Sequence, residues 1–235
     1  MRSIYIIKAG DTFEELEAKH GGFEQWIIDN MKGYEDILKV VDVEKGEALP
    51  SHEDCLGVIM TGSHSMVTER EDWSEKTAKW IREAVLSGMP YFGICYGHQL
   101  LADAMGGEAG YNPFGMEIGT VEVSKLPEAS EDLLFKDMPD VFDAHVIHSQ
   151  SAMKLPAGAV CLAKNKHESH HAFRIGDHAW GVQFHPEFGE DAMRGYVERY
   201  RTKLDKAYEL TLSAVRKTPE ATSLLSAFAE YCKGL

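Results

Sequence analysis

Pro90-Tyr91-Phe92-Gly93-Ile94-Cys95-Tyr96-Gly97-His98-Gln99 is an apolar strand that runs without a loop into a helix. A cysteine stands at the junction with a glycine two positions to either side. This is the arrangement of the G-x-S-x-G nucleophile elbow, with sulfur in place of a hydroxyl. The glycines allow a tight, strained turn, and the turn lifts the sulfur above the carboxyl end of a sheet. The helix that follows points its N-terminus at the sulfur, where dipole and unpaired N–H groups favour thiolate over thiol. The Tyr96 N–H is placed to help hold an oxyanion. The spacing predicts helix from His98 to Met105, ended by Gly106-Gly107.

The flanking sequence repeats the same alternation. Ser3–Ile7, Ile37–Val43 and Leu56–Met60 read as buried strands. A helical period covers residues 12–32, with an interruption at His20-Gly21-Gly22. Trp73, Thr77, Trp80, Ile81, Ala84 and Val85 mark a second helix that Gly88 stops. Strands alternating with helices predict an α/β fold: a doubly wound, mostly parallel sheet with helices on both faces. The middle differs. Gly119–Lys125, Val141–His148, Gly158–Ala163, His171–Ile175 and Trp180–Phe184 are closely spaced strands, best placed as antiparallel additions to that sheet. From about residue 191 the chain reads as helical, with Pro219 opening a last helix at Thr218. A single domain over residues 1–235 is expected, with a core of about 3–190 and a helical extension of about 191–235.

Composition narrows the function. Of the 235 residues, 38 are acidic and 24 basic, a formal charge of −14. Such a surface repels phosphate backbones and anionic lipid heads, so neither nucleic acid nor membrane is expected as a partner. Cys55, Cys95, Cys161 and Cys232 form no C-x-x-C pair and no zinc-ligand spacing. Free thiols in a cytoplasmic enzyme are expected, with no metal and no cofactor. There is no run of 18 apolar residues and no signal-peptide pattern at the start.

A nucleophilic cysteine needs a histidine, which can lie far away in sequence. His185, in Val182-Gln183-Phe184-His185-Pro186-Glu187, is the strongest of 11 candidates. It closes an apolar strand, and in a doubly wound sheet the carboxyl ends of strands share one crevice. Glu187, two residues on, is near enough to fix the imidazole tautomer. His167, His170 and His171 cluster around Glu168 but show no strand end, and read as a solvated polar loop. His98 lacks a carboxylate partner nearby and reads as structural. His52, His64 and His145 read as surface or turn residues.

Gly93–Gln99 and His185-Pro186-Glu187, together with Met60-Thr61-Gly62-Ser63-His64, resemble the signatures of the class I glutamine amidotransferases. The resemblance spans roughly residues 3–190 and is nearest to stand-alone chains similar to the amidotransferase domain of GMP synthase. It implies a flavodoxin-like core, a γ-glutamyl thioester on Cys95, proton transfer by His185 and orientation by Glu187. It implies oxyanion donors at Gly62 and Tyr96. It also implies contacts to a small-molecule substrate, glutamine, from Gln99 and from His148, Ser149 and Gln150. An unidentified synthetase would take the ammonia. The chain carries neither a Ser-Gly-Gly-x-Asp-Ser phosphate loop nor a Walker loop. A γ-glutamyl peptidase with the same catalytic residues is the second reading. A non-catalytic regulatory subunit and a cysteine-based stress protein of the wider superfamily are further readings. The intact cysteine, histidine and glutamate argue against the subunit, and His-Pro-Glu against the stress protein.

Overall fold

The computed structural model describes residues 2–235. In chain order the elements are β1 (Ser3–Lys8), α1 (Glu14–His20), α2 (Phe23–Asn30), β2 (Leu38–Asp42), β3 (Cys55–Met60), α3 (Asp72–Leu86), β4 (Tyr91–Ile94) and α4 (Tyr96–Ala104). There follow β5 (Glu108–Tyr111), β6 (Glu117–Lys125), β7 (Val141–His148), β8 (Gln150–Lys154), β9 (Val160–Lys164), β10 (Ala172–Ile175) and β11 (Ala179–Val182). The chain then turns helical: α5 (Glu190–Arg199), α6 (Arg201–Leu204), α7 (Tyr208–Ser213) and α8 (Pro219–Lys233).

A nine-stranded sheet runs in the order β2-β1-β3-β4-β11-β10-β9-β6-β7. Pairing is parallel from β2 through β11 and antiparallel from β11 to β7. The doubly wound sheet with antiparallel additions is therefore present as the pattern predicts. Two strands escape the pattern. β5 and β8 form a separate antiparallel ribbon, and with four and five residues each they are too short to show alternation. α4 also starts two residues earlier than the sequence suggests, directly at Tyr96.

The inner parallel strands β1, β3, β4 and β11 are buried on both faces. Ile4, Ile59, Phe92 and Trp180 point into one core cluster, and Ile7, Val58, Met60 and Tyr91 into another. That is why these strands read as unbroken apolar runs. α3 covers the second cluster through Thr77, Ala78, Ile81 and Ala84. α8 closes the first, with Leu224, Leu225 and Phe228 packed among the sheet residues. Each such side chain contributes about 1.5–3 kcal/mol by leaving water. Residues of α5 and α8 are thus packed into the core clusters.

The turn after β4 depends on two close approaches. A Cβ on Gly93 would lie 2.8 Å from the His98 nitrogen and closer still to the Gly97 carbonyl. A Cβ on Gly97 would lie 2.8 Å from the Met60 carbonyl oxygen. All three obstacles are backbone and cannot rotate away. Gly93→Ala should therefore lower stability by about 1–3 kcal/mol, the usual range for forced overpacking. Urea denaturation of the purified variant measures it, and an unchanged midpoint would contradict the packing.

Candidate active site

Strand register brings the site together. Met60 pairs with Gly93, so Gly62, two residues past the end of β3, comes level with Cys95. Val182 pairs with Ile94, and the Cys95 N–H donates to the Val182 carbonyl at 2.8 Å, which extends the β4–β11 ladder by one bond. Past Val182 the chain is held from the other side: the Gln183 N–H donates to His171 O and the His185 N–H to His145 O, both at 2.8 Å. His185 is thereby fixed beside the sulfur-bearing turn. Gly62 bridges the two, since a Cβ there would lie 2.9 Å from His185 Cε1 and 3.7 Å from Cys95 Cβ.

Cys95 has φ 49° and ψ −96°, a conformation that side chains rarely adopt. Such strain costs about 1–3 kcal/mol and persists only where the surroundings over-determine it. Here the ladder bond before the turn and the packed glycines around it do so. Directly after it, the first N–H groups of α4, Tyr96 among them, have no acceptor within their own helix. The Tyr96 ring is anchored away from them, stacked on Trp73 and bonded through its hydroxyl to Ser74 Oγ at 2.6 Å.

His185 is buried and shares a hydrogen bond of 2.8 Å between Nδ1 and Glu187 Oε1. Because a carboxylate accepts, Nδ1 donates. Nε2 is buried with no partner among the described residues. The ring is wedged between Phe188 at 4.2 Å and Phe23 at 6.4 Å. Burial alone would push the imidazole down, but the Glu187 carboxylate and the Cys95 sulfur outweigh it and raise it to about 10. The arrangement is a sulfur, an imidazolium and a carboxylate in sequence, which can attack a carbonyl carbon and move the accompanying proton.

A cavity of about 210 Å³ opens over Cys95. Gln99, His148, Ser149 and Gln150 line it on one side. Gln99 gives both hydrogens of Nε2 to the protein, to Gln150 O at 2.8 Å and Gln183 Oε1 at 3.1 Å. Its Oε1 is what remains for a ligand. His148 is clamped between Gln150 O and Glu117 Oε2, each at 3.0 Å. Burial would raise Glu117, but His148 and His171 hold its carboxyl well below the usual range. Glu117 was not legible as a site residue, because nothing near it in sequence is part of the site.

Other histidines depart from their sequence reading. Glu168 and His171 are buried, not part of a solvated loop. Glu168 accepts from Ser151 Oγ, and Asn112 donates to it at 3.4 Å. His145, read as a surface or turn residue, is buried in β7. His64 keeps its place in an exposed bend, lines the cavity and is bonded to the Tyr196 hydroxyl at 3.0 Å. His98 packs on Phe173 at 4.7 Å, as a structural residue should. No group of three or more His, Cys, Asp or Glu among the described residues could hold a metal ion. None of the described helices is long and apolar enough to cross a membrane.

The family model for class-I glutamine amidotransferases matches residues 19–199. The chain belongs to this family. It is similar to the glutamine-hydrolysing GMP synthase of Aeropyrum pernix, 32% identical over 78% of this chain and 32% of that one. It is also similar to a γ-glutamyl-L-1-hydroxyisopropylamide hydrolase of a Pseudomonas species, 30% identical over 74% of this chain and 61% of that one. The chain thus spans about a third of the first relative's length and under two thirds of the second's. A glutamine amidotransferase of Thermotoga maritima has the same fold, with a TM-score of 0.77 over 99% of both chains at 23% identity. The amidotransferase fold is therefore shared over essentially the whole chain, α5–α8 included.

Two outcomes test the site. Burial pushes the Cys55 thiol up to about 11 and Cys232 to about 12, and raises Cys161 as well. A glutamine-like electrophile should label Cys95 first, read by mass spectrometry after brief exposure; labelling chiefly at another cysteine would remove Cys95 from the site. The second outcome concerns pH. Burial pushes His98 down to about 3 and His145 to about 4, below the ~6.5 of an unfolded histidine. The folded chain then binds fewer protons, so their contribution is complete above pH 6.5 and is lost as pH falls towards 4. His185 has the opposite sign: its contribution is complete below 6.5 and fades as pH rises through about 10. Denaturation midpoints should fall between pH 6.5 and 4, and His98→Leu should make that slope shallower.

Proposed function

We propose that this amidotransferase hydrolyses the side-chain amide of glutamine to glutamate and ammonia. The observation that carries the proposal is the strained Cys95 turn set beside a His185–Glu187 pair joined at 2.8 Å. Cys95 attacks the amide carbon and forms a γ-glutamyl thioester. The His185 imidazolium protonates the departing nitrogen and then, as the neutral ring, takes a proton from water. Glu187 holds the ring with Nε2 toward the sulfur. The N–H groups of Gly62 and Tyr96 carry the oxyanion. Gln99, His148, Ser149 and Gln150 hold the α-amino acid end, with His148 set by Glu117. The chain acts as one domain, and a synthetase partner is the acceptor we propose for the ammonia.

Hydrolysis through a thioester needs no nucleotide, so glutamate should be released from glutamine by the purified chain without ATP. Cys95→Ser should lower kcat by about 10³-fold or more, and His185→Ala by nearly as much. Glu187→Gln should be about 10- to 100-fold less damaging than loss of the cysteine, since the base remains and only its orientation suffers. Wild-type turnover by Cys95→Ser would end the proposal. A second reading has a specific support: the Pseudomonas relative is named for hydrolysis of a γ-glutamyl amide whose leaving amine is larger than ammonia.

A further inference from the structure

The cavity has a second half that glutamine hydrolysis does not use. Besides Gln99 and His148–Gln150, it is lined by Phe13, His64, Met66 and Tyr200. These come from three separate parts of the chain: the residue before α1, the loop after β3, and the junction of α5 with α6. Their rings are packed as one surface. Phe13 lies 4.5 Å from His64, 5.2 Å from Tyr196 and 6.4 Å from Tyr200. The Tyr196 hydroxyl, itself bonded to Thr12 Oγ1 at 2.8 Å, holds the His64 ring in place.

Which half receives the leaving group follows from proton transfer. The departing nitrogen takes its proton from His185, so the leaving group must lie on the His185 side of Cys95. His64 is on that side. Gly62, which touches both His185 and Cys95, begins the segment that carries His64 and Met66. Phe23 lies 6.1 Å from the His64 ring and 6.4 Å from the His185 ring. The proximity of His185, after burial, is also what lowers His64. Ammonia needs only about the ~30 Å³ share of one water molecule. It does not need a wall of aromatic and thioether side chains held partly out of water, and a bare wall of that kind is costly to leave facing solvent.

We propose that this wall is a leaving-group subsite, and that the chain cleaves γ-glutamyl amides whose leaving amine bears an aromatic or branched apolar group. The inference rests on the hydrolase reading above and names its substrate class. The reaction is γ-Glu–NH–R + H₂O → Glu + R–NH₂. The Cys95 sulfur bonds to the γ-carbonyl carbon, the C–N bond breaks, and its electron pair leaves with the nitrogen, which takes the His185 proton. Water then adds to the thioester carbon, gives a proton to His185, and the C–S bond breaks to return the thiolate. Arg199, paired with Glu15 at 4.0 Å, lies 5.0 Å over the Phe13 ring and helps hold it in place.

The test compares glutamine, γ-glutamyl-glycine, γ-glutamyl-leucine and γ-glutamyl-phenylalanine on the wild-type chain by glutamate release. kcat/KM should rise from glycine to leucine to phenylalanine, with phenylalanine above glycine by about tenfold or more, the usual return of an apolar pocket. Phe13→Ala and Tyr200→Ala should each reduce the phenylalanine-to-glycine ratio by at least about threefold. The ratio cancels any general loss from a poorly folded variant. A flat series on wild type, or a ratio that neither variant moves, overturns the subsite while leaving glutamine hydrolysis standing. Turnover of none of the four substrates removes the hydrolase reading and the subsite with it.

Discussion

The Cys95 turn is held by backbone against backbone. Gly93 sits against the backbone of Gly97 and His98, and Gly97 against the carbonyl and side chain of Met60, so β3, β4 and the start of α4 meet at close range. Such contact leaves little room for adjustment, which is what a residue at φ 49° requires. The parallel register then extends the same constraint sideways. Because Met60 pairs with Gly93 and Val182 with Ile94, the residues just past β3 and β11 must arrive at the height of the sulfur. Gly62 and His185 are not brought to Cys95 by their own attraction to it. They are delivered by the sheet.

Charge enters this frame at few points, and each is matched. A lone imidazolium buried as His185 is would be strongly disfavoured. The Glu187 carboxylate at 2.8 Å reverses the sign of the effect. Glu117 plays the corresponding part under the other half of the cavity, where His148, His171 and Asn165 surround it, with Asn165 donating at 2.7 Å. One is bonded to a ring whose other nitrogen has no protein partner. The other is bonded to a ring that is also held at its second nitrogen by Gln150 O. Position in the hydrogen-bond network, not residue type, separates these two histidine–carboxylate pairs.

What was legible in the sequence was local or register-bound. The elbow around Cys95 is contiguous, the inner parallel strands are buried on both faces and so read as apolar runs, and His185-Pro186-Glu187 is two residues from ring to carboxylate. Glu117, Phe13 and Tyr200 were not legible, since each reaches the cavity from an element with no motif of its own. β5 and β8 were missed because a ribbon of such short strands has no period to detect. The histidines near Glu168 looked solvated because polar residues cluster there. In fact His171 and Glu168 are buried, while His167 and His170 stay half-buried and bond Gly115 O and Ala152 O. Amphipathic helices look alike in sequence whether they cap a core or complete it, and α8 packs into the first cluster.

The helices after residue 190 connect this last point to the chemistry. Phe188, immediately after the His-Pro-Glu stretch, packs on His185, Trp26 and Tyr196 at once. α5 begins two residues after a side chain that packs on the His185 ring, and Tyr196 within it reaches back to Thr12 and His64. α1, which buries none of its own residues, leans on α5, where a Cβ on Gly195 would collide with Leu16. Tyr196 of α5 is thus packed against Phe13, which precedes α1, and His64, which follows β3. The sheet register fixes where Cys95 and His185 stand. α5 steadies the side chains from outside the sheet that line the cavity beside them, so the shape of that lining depends on α5, α1 and the loop after β3 more than on the strands.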